Sequence, residues 1–322
     1  MQVRFQSDVE AADALRQAYK DLSVEISKVI IGQDEVIRLL LTSIFCQGHC
    51  LLVGVPGLAK TLLIKTIADS LHLSFNRIQF TPDLMPSDIL GSDTLDQERN
   101  FKFIKGAIFS NIILADEINR TPPKTQSALL EAMQEYSVTV SGNKYSLDRP
   151  FFVLATQNPI EQEGTYPLPE AQLDRFMFNI FLNYPSYQSE IEIVKNTTSN
   201  NFYQVQKILS SEDISEFQNL VRKVPVADNV VEYAVSLVHK TRPNVEKSSK
   251  EANDYLEWGA GPRASQYLVL GAKCNAIFNG KYSPDIEDVK AIANPVLRHR
   301  IVRNFKAEAD GISVDDIIKK LL

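Results

Sequence analysis

A glycine-rich loop between a strand pattern and a helix pattern constrains the fold of this chain most. The apolar run Cys50–Val53 leads into the loop, which reads GVPGLAKT from Gly54 to Thr61, and a helix pattern covers Leu62–Leu71. In a loop of this kind, backbone N–H groups converge on phosphate oxygens, the lysine reaches the β and γ phosphates, and the threonine ligates Mg²⁺. The segment therefore predicts a phosphate-binding loop in which Lys60 and Thr61 have these roles.

One position of the loop departs from the generic template G-x-x-x-x-G-K-[ST]. Ala59 stands where the template has its last glycine. A pattern relaxed to accept alanine there arises by chance in roughly a few per cent of chains of this length. The loop alone therefore does not establish a nucleotide-binding site, and the assignment depends on the neighbouring motifs.

The composition is that of an ordinary globular protein, and it argues against nucleic-acid-binding and membrane-inserted classes of protein. The 322 residues, of which 44% are hydrophobic and 23% charged, favour two domains. A net charge of −6 argues against a surface built mainly for nucleic acid or anionic lipid. We expect no membrane insertion, because no segment has 18 uninterrupted apolar residues and the N-terminus lacks the apolar core of a signal peptide.

The cysteines are few and odd in number, which fits a reducing cytoplasm. Cys46, His49 and Cys50 are close enough in sequence to be considered as metal ligands. No second ligand pair follows at the spacing of a zinc site, so we interpret all three as structural residues.

Short apolar segments alternate with helix patterns in the first part of the chain. Strands bounded by helices at this spacing predict a parallel α/β sheet, with ligands bound at the carboxyl ends of the strands. Two further segments, Thr94–Ile104 and Val138–Leu147, are predicted to be hairpin insertions. The predicted strands are Cys50–Val53, Phe75–Phe80, Ile112–Ala115, Phe151–Ala155 and Phe178–Leu182.

Strand patterns are absent from about Pro185 onward. We therefore predict an α/β domain over residues 1–184 and an all-helical domain over residues 185–322. The polar segment Thr241–Asp254, rich in Lys, Ser and Asn, is predicted to be a mobile loop. The predicted helices of the second domain are 187–198, 211–222, 228–241, 262–278, 285–293 and 313–322.

Two consecutive carboxylates follow the apolar segment Ile112–Ala115. Beside a phosphate-binding loop, Asp116 would hold Mg²⁺ through water, and Glu117 could polarise the water that attacks the γ-phosphate. Adjacent strand residues point in opposite directions, so the two acids can divide these roles. The alternative is a strand end with two solvated acids, which the nearby Lys60 and Thr61 disfavour.

Three further polar residues are candidates, each with a structural alternative. Asn158 follows an apolar strand pattern, where it could position the attacking water or simply open an Asn-Pro turn. Arg175 precedes another strand pattern and is either a surface ion-pair residue or a charge aimed at a neighbouring subunit's γ-phosphate. Arg263 follows Pro262 in the first turn of a helix pattern, where it could lie at the helix start or reach back to the nucleotide.

The order of these motifs resembles that of the AAA+ ATPases of the MoxR family. The matching segments are GVPGLAKT, IILADEINR, LATQNP, EAQLDRF and GPRA, and the similarity covers almost the whole chain, including Asn304–Leu322. The resemblance implies an α/β P-loop NTPase (AAA+) fold with a parallel five-stranded sheet, followed by an all-α lid domain. In this family the loop itself carries alanine before the lysine, so Ala59 fits the family pattern.

The same resemblance implies which residues form the site. ATP and Mg²⁺ are the implied cofactors, and Thr61 and Asp116 are the implied metal-binding residues. The implied catalytic residues are Glu117, Asn158 as sensor 1, Arg175 as the arginine finger and Arg263 as sensor 2. The residues implied to bind the nucleotide, with the first two at the adenine, are Ile31, Gly32, Gly54, Val55, Pro56, Gly57, Leu58, Ala59, Lys60, Thr61, Leu62 and Asp116.

The resemblance also gives the two hairpins an expected place. Thr94–Ile104 corresponds to a helix-2 insert and Val138–Leu147 to a pre-sensor-1 hairpin, both of which face the central pore in related machines. Phe101 and Phe103 are then candidate pore contacts. The alternative is that both rings pack the hairpin onto its own domain.

As a function, the resemblance implies an ATP-hydrolysing motor that forms an oligomeric ring, expected to be a hexamer, in the cytoplasm. Family members help to assemble or activate partner proteins, often ones with a von Willebrand factor A domain. A metal-chelatase-type motor subunit is an alternative, because it shares the hairpins and also drives a partner. A nucleic-acid remodeller is a second alternative, which the acidic balance and the scarcity of Lys and Arg at the hairpin tips disfavour.

Overall fold

A parallel five-stranded sheet forms the centre of the first part of the structure. The computed structural model describes residues 5–95, 101–160, 164–199 and 203–322. The helices and strands of this first part are, in chain order, α1 Asp8–Ser27, α2 Asp34–Phe45, β1 Cys50–Val53, α3 Lys60–Ser70, β2 Phe75–Gln79, α4 Pro86–Leu90, β3 Gly91–Leu95, β4 Phe101–Lys105, β5 Ile112–Asp116, a 3-10 turn Ile118–Arg120, α5 Pro123–Glu135, β6 Ser137–Val140, β7 Asn143–Ser146, β8 Phe152–Gln157, α6 Glu170–Leu173 and β9 Phe178–Phe181.

The parallel strands lie in the order β2-β5-β8-β1-β9, so their carboxyl ends meet at one edge of the sheet. Alternate strand residues point to opposite faces. Leu52 and Leu154 pack into the core on the side of α3, whereas Leu51 and Ala155 pack into the core on the side of α5. Burial on both faces is the reason that the inner strands β1, β5 and β8 are largely apolar runs in the sequence, whereas the edge strand β2 alternates with polar residues. The predicted parallel α/β sheet is confirmed.

Two antiparallel hairpins, β3–β4 and β6–β7, extend from the sheet, which confirms the predicted insertions. Residues 96–100 and the side chain of Phe101 lie outside the described part of the chain, so the prediction for Phe101 is not addressed. The ring of Phe103 stacks on that of Tyr145 in the other hairpin, with 3.9 Å between the ring centroids. The ring of Phe103 therefore packs within its own chain, as in the alternative given above, and this contact joins the two hairpins.

Helices dominate the second part, which packs against α1 and α2. The ring of Tyr19 in α1 stacks on that of Phe278, with 3.9 Å between the centroids. The apolar core therefore continues from the sheet into the second part. No helix among the described residues is both long and apolar enough to cross a membrane. The elements of this part are α7 Tyr187–Thr197, α8 Ser211–Lys223, α9 Asp228–Lys240, α10 Lys250–Tyr255, β10 Leu256–Trp258, α11 Pro262–Phe278, α12 Ile286–Leu297, β11 Val302–Arg303, α13 Phe305–Ala309 and α14 Val314–Leu321.

The predicted helical character of this second part is confirmed, and within it β10 pairs with β11 in a short antiparallel sheet that the sequence did not predict. One prediction for this part was wrong. The segment Thr241–Asp254 is not simply a loop, because α10 begins within it, with Ser249 as the N-cap. The side-chain oxygen of Asn253 accepts hydrogen bonds from the N–H of Asn244 and the hydroxyl of Ser248, each 2.7 Å long. Polar residues that suggested mobility instead bond to one another and give the segment a defined structure.

Candidate nucleotide-binding site

The glycine-rich loop begins where β1 ends and is held against two neighbouring strands. The N–H of Gly54 donates to the carbonyl oxygen of Gln157, at the end of β8, over 3.2 Å. A side chain at this position would place its Cβ 2.9 Å from the Cβ of Leu182, which follows β9. Gly54 is therefore required by close packing, and the loop leaves the sheet at the carboxyl edge that the sequence predicts.

Helix α3 begins at the end of the loop and directs its N-terminus toward it. Ala59 is the N-cap and provides no side-chain hydrogen bond to the helix. The first turn of a helix has N–H groups without intrahelical partners and carries partial positive charge, which suits a phosphate. The ammonium group of Lys60 donates to the carbonyl oxygen of Gly54, so its side chain folds back across the loop.

The carboxylate of Asp116 is held by two side chains from the strands on either side of β5. Its Oδ1 accepts a 2.6 Å hydrogen bond from the hydroxyl of Thr156 in β8. Its Oδ2 accepts from both Nε and Nη2 of Arg77 in β2, at 3.0 Å and 2.6 Å. The carboxylate is largely buried, with 14% of the side chain exposed. The alternative of a freely solvated acid is therefore excluded for Asp116.

Glu117 leaves the strand in a left-handed conformation, with φ 58°. Its backbone N–H donates to the hydroxyl oxygen of Thr156 over 2.9 Å. Its Oε2 accepts hydrogen bonds from Nε2 of Gln79 at 2.9 Å and Nη1 of Arg120 at 3.0 Å. Because Nη2 of Arg77 also donates to Oε1 of Gln79 over 2.5 Å, the two acids belong to one hydrogen-bond network, in which each carboxylate has a different partner on β2.

Asn158 lies directly after β8, beside the start of the loop. It is buried, and its Oδ1 accepts from the N–H of Ile160 over 3.1 Å. Its Nδ2 is buried without a hydrogen-bond partner in the described part of the chain. An unsatisfied buried donor costs about 1–3 kcal/mol, so a polar group supplied by a ligand or a water would satisfy it. This unpaired donor is therefore consistent with a polar ligand group beside the start of the loop.

The predicted adenine-binding residues lie against the segment that joins β9 to α7. A Cβ on Gly32 would come within 2.7 Å of the hydroxyl oxygen of Ser189 in α7. The adjacent Gln33 donates through Nε2 to the carbonyl oxygen of Asn183 over 3.3 Å. Because Leu182 of the same segment packs on Gly54, these contacts bring the Ile31–Gly32 turn to the side of the phosphate-binding loop.

The side chains of the two predicted arginines bond to residues outside the phosphate-binding loop. Arg175 donates through Nη1 to the carbonyl oxygen of Leu130 in α5 over 2.6 Å. It borders a polar groove of about 260 Å³ along that helix. Arg263, at the start of α11, forms a 3.1 Å ion pair with Oδ2 of Asp174. In the described part of the chain, the hydrogen bonds of both arginines go to these groups and not to the phosphate-binding loop.

A buried arginine fixes the backbone on both sides of Arg175. Arg300 has 1% of its side chain exposed and forms an ion pair from Nε to Oδ1 of Asp174 at 2.7 Å. Its Nη2 donates to the carbonyl oxygens of Asp174 at 2.9 Å and Phe176 at 2.6 Å, and its Nη1 donates to that of Met177 at 3.3 Å. We call this set of bonds the Arg300 clasp.

Cys46, His49 and Cys50 are structural, as interpreted from the sequence. The Nδ1 of His49 accepts from the N–H of Val153 over 3.0 Å, and its Nε2 lies 3.1 Å from the carbonyl oxygen of Met133. Burial lowers the pKa of His49 to about 4 and raises the pKa of Cys50 to about 12. Within the described residues no cluster of three or more His, Cys, Asp or Glu could hold a metal ion.

Three residues that hold the acids were missed in the sequence: Arg77, Gln79 and Thr156. Arg77 and Gln79 alternate on β2, and strand pairing places Gln79 opposite Asp116. The alternation of Arg77 and Gln79 is visible in the sequence. It indicates that these side chains face the acids only when β2 is known to pair with β5. That pairing is a property of the whole sheet and not of the local sequence.

Comparisons with known proteins agree with this geometry. Residues 49–178 match the model of the ATPase family associated with various cellular activities (AAA), and residues 248–321 match an AAA lid domain. Chaperone MoxR1 of Mycobacterium tuberculosis is 42% identical over 299 residues, which are 92% of this chain and 79% of that protein. This chain belongs to the MoxR family of AAA+ ATPases.

Two further relatives and a solved structure extend the match. YeaC of Bacillus subtilis is 40% identical over 92% of this chain and 91% of its own length. Protein MoxR of Methylorubrum extorquens is 28% identical over 90% of each chain. A crystal structure from Cytophaga hutchinsonii, of a protein described as a candidate ATPase, has a TM-score of 0.90 and 48% identity over 97% of this chain and 95% of that one. The predicted family, fold class and ATPase activity are confirmed.

Proposed function

We propose that this MoxR-family ATPase hydrolyses ATP at the loop Gly54–Thr61 and uses the energy to remodel or activate partner proteins. The observation that carries the proposal is the buried Nδ2 of Asn158, which lies beside the start of the loop and has no hydrogen-bond partner in the described part of the chain. A chaperone role is supported by the name of the Mycobacterium tuberculosis relative. The two parts correspond in this proposal to a nucleotide-binding domain, residues 1–184, and a lid, residues 185–322.

Each residue of the site has a proposed role. Lys60 and the first turn of α3 bind the β and γ phosphates, and Thr61 and Asp116 would hold Mg²⁺, which neutralises phosphate charge when bound. Glu117 takes the proton of the attacking water, and the free Nδ2 of Asn158 orients that water. The remaining proposed contacts to the nucleotide are Ile31, Gly32, Gly54, Val55, Pro56, Gly57, Leu58, Ala59 and Leu62.

A second subunit is proposed to complete the site. Arg175 lies on the polar groove along α5, away from the loop of its own chain, so it would act on the nucleotide of a neighbouring copy. Such a charge stabilises the phosphoryl-transfer transition state. We therefore propose a ring, expected to be a hexamer, in which Arg263 contacts the nucleotide after leaving Asp174.

The proposed partner is a client protein, with a von Willebrand factor A domain as the first candidate. A metal-chelatase partner is the alternative, and nucleic acid is disfavoured by the net charge of −6. The three cysteines are free and buried, in keeping with the proposed cytoplasmic location. A salt-sensitive stimulation of the ATPase by DNA would support the nucleic-acid alternative, whereas stimulation by a co-purifying protein would support the client.

Hydrolysis is tested by Glu117→Gln. Removing the proton acceptor should reduce phosphate release about 100-fold or more, while binding of a fluorescent ATP analogue stays within about two-fold. The matched control is Glu232→Gln, an exposed acid in α9. Equal hydrolysis by Glu117→Gln and the wild type would contradict the assignment. The same variant, which binds ATP without turnover, can capture the client for mass spectrometry.

The action of Arg175 on a neighbour is tested by mixing two inactive variants. Arg175→Ala lacks the finger and Lys60→Ala lacks the phosphate-binding ammonium, so each alone should lose most activity, about 10³-fold for the finger. In a mixed ring, the intact site of an Arg175→Ala subunit can meet the intact Arg175 of a Lys60→Ala subunit. Partial recovery of ATPase activity on mixing is expected. Activity that stays at the level of the separate variants would contradict a role across the interface.

A further inference from the structure

An arginine is hydrogen-bonded to the carboxylate that is proposed to hold Mg²⁺. Arg77 donates through Nε and Nη2 to the same oxygen, Oδ2 of Asp116, at 3.0 Å and 2.6 Å. The hydroxyl of Thr156 donates to the other oxygen. A carboxylate offers about four lone-pair positions, and these bonds occupy three of them. Both positions on Oδ2 are therefore covered by the guanidinium, and one position on Oδ1 is left for a hydrated metal ion.

The two partners of this ion pair differ in burial. Asp116 has 14% of its side chain exposed, whereas Arg77 has 47% exposed and lies on the edge strand β2. The acid is therefore fixed, whereas the guanidinium, which also donates from Nη2 to Oε1 of Gln79 over 2.5 Å, borders solvent into which it can move. A divalent cation near Oδ2 would also repel the guanidinium, because like charges in a partly buried site interact strongly.

We propose that Arg77 is the counter-ion of Asp116 in the absence of metal, and that nucleotide-bound Mg²⁺ competes with it and displaces it from Oδ2. The Arg77–Asp116 ion pair then sets the Mg²⁺ concentration at which the site fills, which makes Arg77 a positioning residue. This inference rests on the proposed role of Asp116. Arg77 stabilises the empty site by satisfying a largely buried charge, and it weakens metal binding by the same interaction.

The test is a Mg²⁺ titration of the protein bound to a fluorescent ADP analogue, which requires no hydrolysis. Arg77→Gln should lower the half-saturating Mg²⁺ concentration about five-fold or more, because the metal no longer competes with a cation. Affinity for the analogue in EDTA should stay within about two-fold. Arg77→Lys keeps the charge but loses the paired donors, so its midpoint should fall between those of Arg77→Gln and the wild type.

Two controls make the outcome specific. Arg16→Gln removes an exposed arginine that pairs with Asp13 in α1, and it should leave the midpoint unchanged. In an Asp116→Asn background, Arg77→Gln should no longer shift the midpoint, since the shared partner is gone.

A midpoint that is unchanged or higher in Arg77→Gln, or a shift that persists without Asp116, would overturn the inference. If Asp116→Asn alone does not raise the midpoint, the proposed metal role of Asp116 fails instead.

Discussion

At the scale of single residues, the site contains two non-glycine residues with left-handed backbone conformations. Ala59 has φ 54° and ψ 29° at the start of α3, and Glu117 has φ 58° after β5. This conformation places Cβ close to the following carbonyl and costs roughly 1–2 kcal/mol per residue. The generic loop template has glycine at the position of Ala59, where the cost does not arise. The departure seen in the sequence is therefore a source of local strain at the phosphate-binding loop.

Ala59→Gly should stabilise the nucleotide-free protein. Glycine adopts φ 54° without the Cβ clash, so we expect the free energy of unfolding to rise by about 0.5–1 kcal/mol. Urea unfolding followed by circular dichroism measures the change. Ala68→Gly, in the last turn of α3, is the matched control and should lower stability by about 1 kcal/mol, because the position is helical and buried. A loss of stability in both variants would contradict the strain at Ala59.

At the scale of elements, prediction succeeded where the signal is local. The strand Cys50–Val53 was predicted with its observed bounds, because a strand buried on both faces is an apolar run that ends at a turn. The strands β10 and β11 were missed because they have three and two residues, too few for a period to be visible. Lys60 and Glu117 could be assigned from motifs, whereas Arg77 required knowledge of the strand order.

The contact between the two hairpins predicts an energetic coupling between them. Phe103 stacks on Tyr145 with an angle of 15° between the rings, and aromatic pairs contribute about 0.5–1.5 kcal/mol. A double-mutant cycle of Phe103→Ala and Tyr145→Ala, measured by urea unfolding, should give a coupling energy in that range. The control cycle pairs Phe103→Ala with Tyr282→Ala, in the loop between α11 and α12, and should be additive. Equal coupling in both cycles would mean that the hairpins are not joined through these rings.

At the scale of the whole molecule, the Arg300 clasp connects the lid to the nucleotide-binding part. Arg300→Gln removes a buried charge and leaves Oδ1 of Asp174 and several carbonyl oxygens without their donor, while Oδ2 of Asp174 keeps its ion pair with Arg263. Each buried acceptor left without a donor costs about 1–3 kcal/mol, so a large drop in urea stability is expected. Arg16→Gln, the exposed control, should change stability by less than about 1 kcal/mol. Similar effects for the two substitutions would contradict a central role for the clasp.

The Arg300 clasp also affects the entropic cost of forming the proposed ring. Because its bonds fix the backbone on both sides of Arg175, the arginine is carried on a segment that is already ordered before any second subunit arrives. Ordering a flexible loop would add about 1–2 kcal/mol of conformational entropy for every residue. Here only the rotamers of one side chain remain to be fixed, at about 0.5–1.5 kcal/mol. In the proposed ring, the lid would thus lower the entropic cost of placing Arg175 against a neighbouring subunit, at a surface that the lid does not itself form.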